Sequence, residues 1–146
     1  MSYCTRTDID AIFGTSNVST WADLENKQSP QLILARVTEA IATAQDAIDN
    51  SLRGGPYTIP FTTIPAAIKN VCAALAGLWL YESRGVVETN SETGEPMHRY
   101  SWKKTETKTI LKNIRAGGLR LDLPTIATIE PKVVDVDIDN ENTTEE

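Results

Sequence analysis

The sequence is poor in the side chains that carry most protein chemistry. Its 146 residues include one histidine and two cysteines. Cys4 and Cys72 lie far apart, with no spacing that would ligate a metal and nothing resembling a disulfide framework. Cys72 falls on an apolar stripe and reads as a small packed hydrophobe. His98 stands beside Arg99 in a polar loop, a surface position rather than that of a general base. No GxSxG, HExxH or glycine-rich phosphate loop occurs. Gly54-Gly55 and Gly117-Gly118 each follow a helical pattern and read as helix stops. The apolar run 71–81 is too short to cross a bilayer, and Lys69 and Asn70 interrupt it upstream. The opening MSYCTRTDID is polar and lacks a leader's apolar stretch. These shortages argue against an enzyme, a metal or cofactor site and a membrane partner.

What the chain does have is a hydrophobic fraction of 40%. Its length suits one domain, large enough to bury roughly two-thirds of its unfolded surface. The net charge of −6 is unevenly placed: residues 1–123 carry 13 basic and 13 acidic side chains, while residues 124–146 carry seven acids against Lys132. Residues 99–120 hold seven basic side chains and one acid, Glu106. A basic penultimate segment therefore precedes an acidic tail, and we divide the chain into a helical domain, 1–123, and an extended arm, 124–146.

Apolar residues recurring at three and four define the helices. A first runs 7–13, with Thr5 as cap and Asp8 three residues on, stopped by Gly14. A short second spans about 20–26, with Trp21 and Leu24 facing the core. Ser29-Pro30 opens a long helix, 30–53, striped by Ile33, Val37, Ala40, Ile41, Ala44, Ile48 and Leu52. An extended, partly buried connector, 56–64, follows, in which Pro60 excludes a central strand; Tyr57 and Phe61 read as core packing. Pro65, in a first-turn position, starts the most apolar helix, with Ile68, Val71, Cys72, Leu75, Leu78 and Trp79 as its stripe and Gly85 as its stop. Its other side holds Ala66, Ala67, Ala73, Ala74, Ala76 and Gly77, small enough for another helix to approach closely, either a third helix of the bundle or one from a neighbouring subunit. A last helix, 102–116, takes Ser101 as cap and turns Ile110, Leu111 and Ile114 inward. The fold class is all-α: a small bundle around two long antiparallel helices, with a hairpin-like loop and an extended C-terminal arm.

Three stretches are candidates for contact with other molecules. Two short β-capable runs flank the turn NSETGEP in a protruding hairpin or mobile loop that carries Val86, Val87, Met97, Arg99 and Tyr100. Lys104, Lys108, Lys112 and Arg115 form one outward stripe on the last helix. This stripe is a solvated face, a contact for an acidic protein segment, or a DNA-phosphate contact without base reading. The arm bears Ile126, Ile129, Val133, Val134, Val136 and Ile138, the last three alternating with aspartates. That is a strand pattern, but a lone strand needs something to lie against. Asp135, Asp137 and Asp139 also echo a calcium loop, yet Asn140 replaces its glycine and no helix can follow. Leu119, Leu121 and Leu123 alternate as a short strand or extended segment leading into the arm.

Taken in order, the motifs carry a resemblance. Tyr3, Asp8-Ile9 and Phe13-Gly14 are followed by Ala40-Ile41, Ala47-Ile48-Asp49, Leu52, Tyr57 and Pro60. Then come Pro65, Ile68-Lys69, Cys72, Leu75-Ala76, Arg84, Arg99-Tyr100, Leu111, Ile114, Gly117 and Leu121. The pattern resembles the small helical head proteins of Mu-like prophages and is similar to the head-to-tail adaptor (connector) proteins of long-tailed bacteriophages. It covers about residues 3–123, leaving the loop 89–97 and the tail outside. The resemblance implies a structural virion protein of the neck, assembled in the bacterial cytoplasm. It would form a ring with itself, commonly of twelve subunits, beneath the portal protein, extend the channel for packaged DNA, and dock a stopper or tail-completion protein. The arm would then dock on the portal, and Val86, Val87, Met97, Arg99 and Tyr100 of the loop would meet a neighbouring subunit or the next ring. The rival reading is a nucleic-acid-binding regulatory protein using the basic helix.

Overall fold

A computed structural model describes residues 2–85, 88–89 and 91–126. Among them are five helices: α1 (Arg6–Phe13), α2 (Thr15–Ala22), α3 (Pro30–Leu52), α4 (Ala66–Arg84) and α5 (Ser101–Ala116). A two-residue antiparallel pair, β1 (Glu88–Thr89) and β2 (Pro96–Met97), closes the loop before α5. The all-α bundle expected from periodicity is the fold observed.

Helix α4 is the axis of the molecule. It packs chiefly on α3 and also against α1, α2 and α5. Residues 71–74, 76–78 and 80–81 are all buried, so the helix is enclosed almost all round, as its uniform apolarity requires. The open side runs through Leu75 and Trp79, two members of the expected inward stripe, which are only half-buried. Trp79 is capped there by the Arg36 guanidinium, 4.3 Å from the ring centroid. Arg36 lies early in α3 and Trp79 late in α4, so the two long helices run antiparallel.

The small side of α4 is largely filled from within the chain, with Ala66 exposed and Ala67 half-buried at its start. Ala73, Ala74 and Ala76 are buried within this one chain, and a Cβ on Gly77 would lie 2.1 Å from Phe13 Cε2. Residue 77 must be glycine for α1 to lay Phe13 directly on the α4 backbone. The close approach that the small residues permit is made by α1, from inside the fold.

Other boundaries follow local chemistry. The Ser29 hydroxyl accepts from Leu32 N–H at 3.4 Å, and Pro30 opens α3 as expected. Pro65 is the N-cap of α4, one place before the expected first-turn position. α5 begins at Ser101 after Tyr100, and no side chain caps it. The second helix differs most from expectation. It spans 15–22, because Gly14 (φ 94°) ends α1 and starts α2 with no intervening loop. Beyond Ala22 the Asp23 carboxylate takes the N–H groups of Lys27 and Gln28, each at 3.0 Å, and holds a turn where a helix was expected. Trp21 is buried as expected, whereas Leu24 is 43% exposed. Leu119, Leu121 and Leu123 form no strand; Leu121 turns into the core and Leu119 stays exposed.

Candidate functional site

The polar side chains inside the bundle act mainly as clamps that place peripheral segments. Arg84 Nη1 donates to Thr20 O at 2.8 Å and also to Asp23 O, while Nη2 donates to Asn26 Oδ1 at 2.8 Å. One guanidinium thus fixes the whole α2–α3 turn, in which Asn26 and Gln28 adopt left-handed φ. At the other end, Tyr57 OH accepts from Leu121 N–H at 2.8 Å and donates to Leu121 O at 3.3 Å. Ile126 N–H then reaches Pro56 O at 2.8 Å. The segment after α5 is therefore tied along the α3–α4 connector, and a recess of about 450 Å³ opens there between Phe61, Thr62, Leu123 and Pro124. Tyr57 and Phe61 are themselves core residues, as read from the sequence.

The loop before α5 is anchored by a carboxylate. Glu82 Oε2 accepts Lys104 Nζ at 2.9 Å and lies 3.0 Å from His98 Nε2. Burial pushes the Glu82 carboxyl up, but the Lys104 and His98 contacts together outweigh it and hold the group below its ordinary value of 4.5. Tyr100 stands edge-on to Phe13, Trp21 and Tyr81, with centroids 5.1–5.6 Å away. It is a half-buried anchor for the loop. Arg99 is exposed, and Met97 pairs with Glu88 across the hairpin. Val86 and Val87 lie outside the described residues.

The basic stripe divides in two. Lys104 is engaged with Glu82, and Arg115 Nη1 donates to Ser51 O at 3.2 Å and Arg53 O at 2.9 Å, capping the C-terminus of α3. Lys108 and Lys112, one turn apart between them, are exposed, and no salt bridge joins either to another described residue. Like charges at this spacing repel on an isolated helix. These two are the part of the stripe open to an anionic partner.

Of the arm residues, Ile126 is half-buried and tied to the connector. Ile129, Val133, Val134, Val136 and Ile138 lie outside the described residues, as does the calcium-like aspartate run. Sequence reasoning left out Glu82, the hydrogen bonds of Tyr57 to Leu121, and a shallow groove of about 250 Å³ lined by Leu24, Leu32, Arg36 and Glu39. Leu24 and Leu32 are both more than two-fifths exposed there. The i, i+4 step from Leu32 to Arg36 could have flagged the groove. Nothing local marks Glu82, whose partners come from the hairpin and α5.

Comparison with known proteins fits this frame. The family described as "Bacteriophage Mu, Gp36" matches residues 3–137. The chain belongs to this family. The match includes both the hairpin loop and most of the acidic arm, so it reaches beyond the residues that carried the sequence resemblance. A curated relative, the Mu-like prophage FluMu protein gp36 of Haemophilus influenzae, is 30% identical over 89 residues. Those residues are 61% of this chain and 55% of that protein, so the match spans about half the relative's length. The chain is thus a Mu-like phage protein, and no described helix is long and apolar enough to cross a membrane.

Proposed function

We propose that this protein is a structural component of the virion neck, a head-to-tail adaptor without catalytic activity. It forms a ring beneath the portal protein, extends the DNA channel, and receives a stopper or tail-completion protein. Membership of the Mu Gp36 family sets this context. The observation that carries the reading is the clamp arrangement: Glu82 and Tyr100 hold the hairpin at one place, and Tyr57 and Pro56 hold the departing C-terminal segment at another. A rigid core presenting two tethered extensions suits a ring subunit that contacts neighbours and portal at once. The acidic arm 124–146 lies along the portal, and the hairpin meets the adjacent subunit. Co-expression with the portal protein of the same phage, followed by negative-stain imaging and mass measurement, tests this. Rings seated on the portal are expected; a chain that stays monomeric and unbound in its presence overturns the reading.

Lys108 and Lys112 favour a second reading, a DNA-binding regulator. Steeply salt-dependent, sequence-selective binding by the isolated monomer would support it. Under the adaptor reading the same lysines face a neighbour's acidic arm or the channel, and DNA binding shows no sequence preference.

A further inference from the structure

We propose that Cys4 and Cys72 are a disulfide-forming pair that can staple the N-terminal segment to the central helix. The two residues are 68 apart in sequence, yet their Sγ atoms lie 3.0 Å from each other. Cys4 is 3% exposed and Cys72 is fully buried. Both are free thiols in this structure. The juxtaposition is held from both sides of Cys4. Tyr3 is pinned by its N–H to Gln45 Oε1 (3.1 Å), by its hydroxyl to Asp49 Oδ1 (2.6 Å), and by accepting Phe61 N–H (2.9 Å). On the other side Thr5 N–H is fixed by Asp8 Oδ2 at 2.8 Å. The backbone at Cys4 is therefore fixed by bonds on both of its neighbours, and Cys72 sits on α4, the most enclosed helix.

The two thiols are not equivalent. Their mutual hydrogen bond lowers Cys4 below the ordinary thiol range against the opposing effect of burial, whereas the same bond and burial both raise Cys72. Cys4 is accordingly the attacking group and Cys72 the resolving one. With a small-molecule disulfide as oxidant, the Cys4 thiolate attacks one sulfur and expels one thiolate, leaving a mixed disulfide. The Cys72 thiol then gives up its proton and attacks the Cys4 sulfur, expelling the second thiolate. The protein loses two electrons and two protons, and both appear on the two reduced small thiols. The product closes a loop over α1, α2 and α3 and locks Tyr3 in its socket. This inference does not depend on the adaptor reading.

The test uses the full chain, first reduced and then held in oxidised glutathione at neutral pH. It is denatured with excess iodoacetamide and its intact mass measured. The expected product is monomeric, lighter by two hydrogens, and takes up no alkyl group. Its thermal midpoint should rise by roughly 10 °C and return on reduction. Cys4→Ser and Cys72→Ala should each abolish the cross-linked product. Three results overturn the proposal: two alkylated thiols after incubation up to the edge of the melting transition, a glutathione adduct that persists unresolved, or a disulfide-linked dimer in place of the monomer.

Discussion

Two residues show how single atoms set this fold. Phe13 occupies the space a side chain at residue 77 would need, with ring carbons 2.1–3.0 Å from the position of an added Cβ. We expect Gly77→Ala to destabilise the protein by about 1–3 kcal/mol, the usual cost of forcing volume into a packed core. Urea unfolding should show a lower midpoint with an unchanged slope. Tyr3 is the second. Burial, reinforced by the bond to Asp49, pushes its phenol up from 10.0 to about 12. A raised folded-state value means the contribution is fully present below pH 10 and is lost as pH climbs toward about 12. Tyr3→Phe should flatten this alkaline loss while lowering stability at neutral pH by about 1–3 kcal/mol, since Phe61 N–H loses its acceptor. Thermal melts from pH 8 upward read both effects. From the sequence Tyr3 was only a motif position; its partners Gln45, Asp49 and Phe61 lie more than 40 residues away.

At the scale of elements, long helices were legible and short ones less so. The stripe of α3 was read almost residue for residue, because 23 residues give six turns of pattern to average over. α2 was displaced because eight residues give little pattern, and because Gly14 and Asp23 impose the ends through backbone conformation and side-chain hydrogen bonds. The basic stripe read as one unit is divided in the fold, since Lys104 bonds to Glu82 of α4 and Arg115 to the C-terminus of α3. The hairpin's position rests on Glu82 and should be acid-sensitive. A depressed carboxyl contributes above its ordinary 4.5, and that contribution disappears as pH falls through the lower folded-state value. The side chain is 38% exposed, so the effect is modest, up to about 1 kcal/mol. Glu82→Gln should remove this step from the acid limb of the thermal midpoint and increase hydrogen exchange in residues 88–100 at neutral pH.

For the whole molecule, charge and attachment separate core from arm. All the net charge of −6 falls within residues 127–146, so the part of the chain before them is formally neutral. Ending the chain after Ile126 keeps the Tyr57–Leu121 and Pro56–Ile126 ties intact. We expect that truncation to leave the thermal midpoint within about 2 °C, because it removes none of the described core contacts. It should abolish co-purification with portal protein. Retained portal binding by the truncated chain would place the docking surface on the bundle.

By itself the sequence determined the fold class, the two long helices and the uneven charge, because these depend on local periodicity and composition. It also carried the family resemblance, through the order of core and turn residues. Only the tertiary structure decided which faces were spent. The small side of α4 is filled by Phe13, the ends of the basic stripe are clamps, and Cys4 meets Cys72. Each depends on contacts between residues remote in sequence, whose meeting is set by helix packing and not by any local pattern.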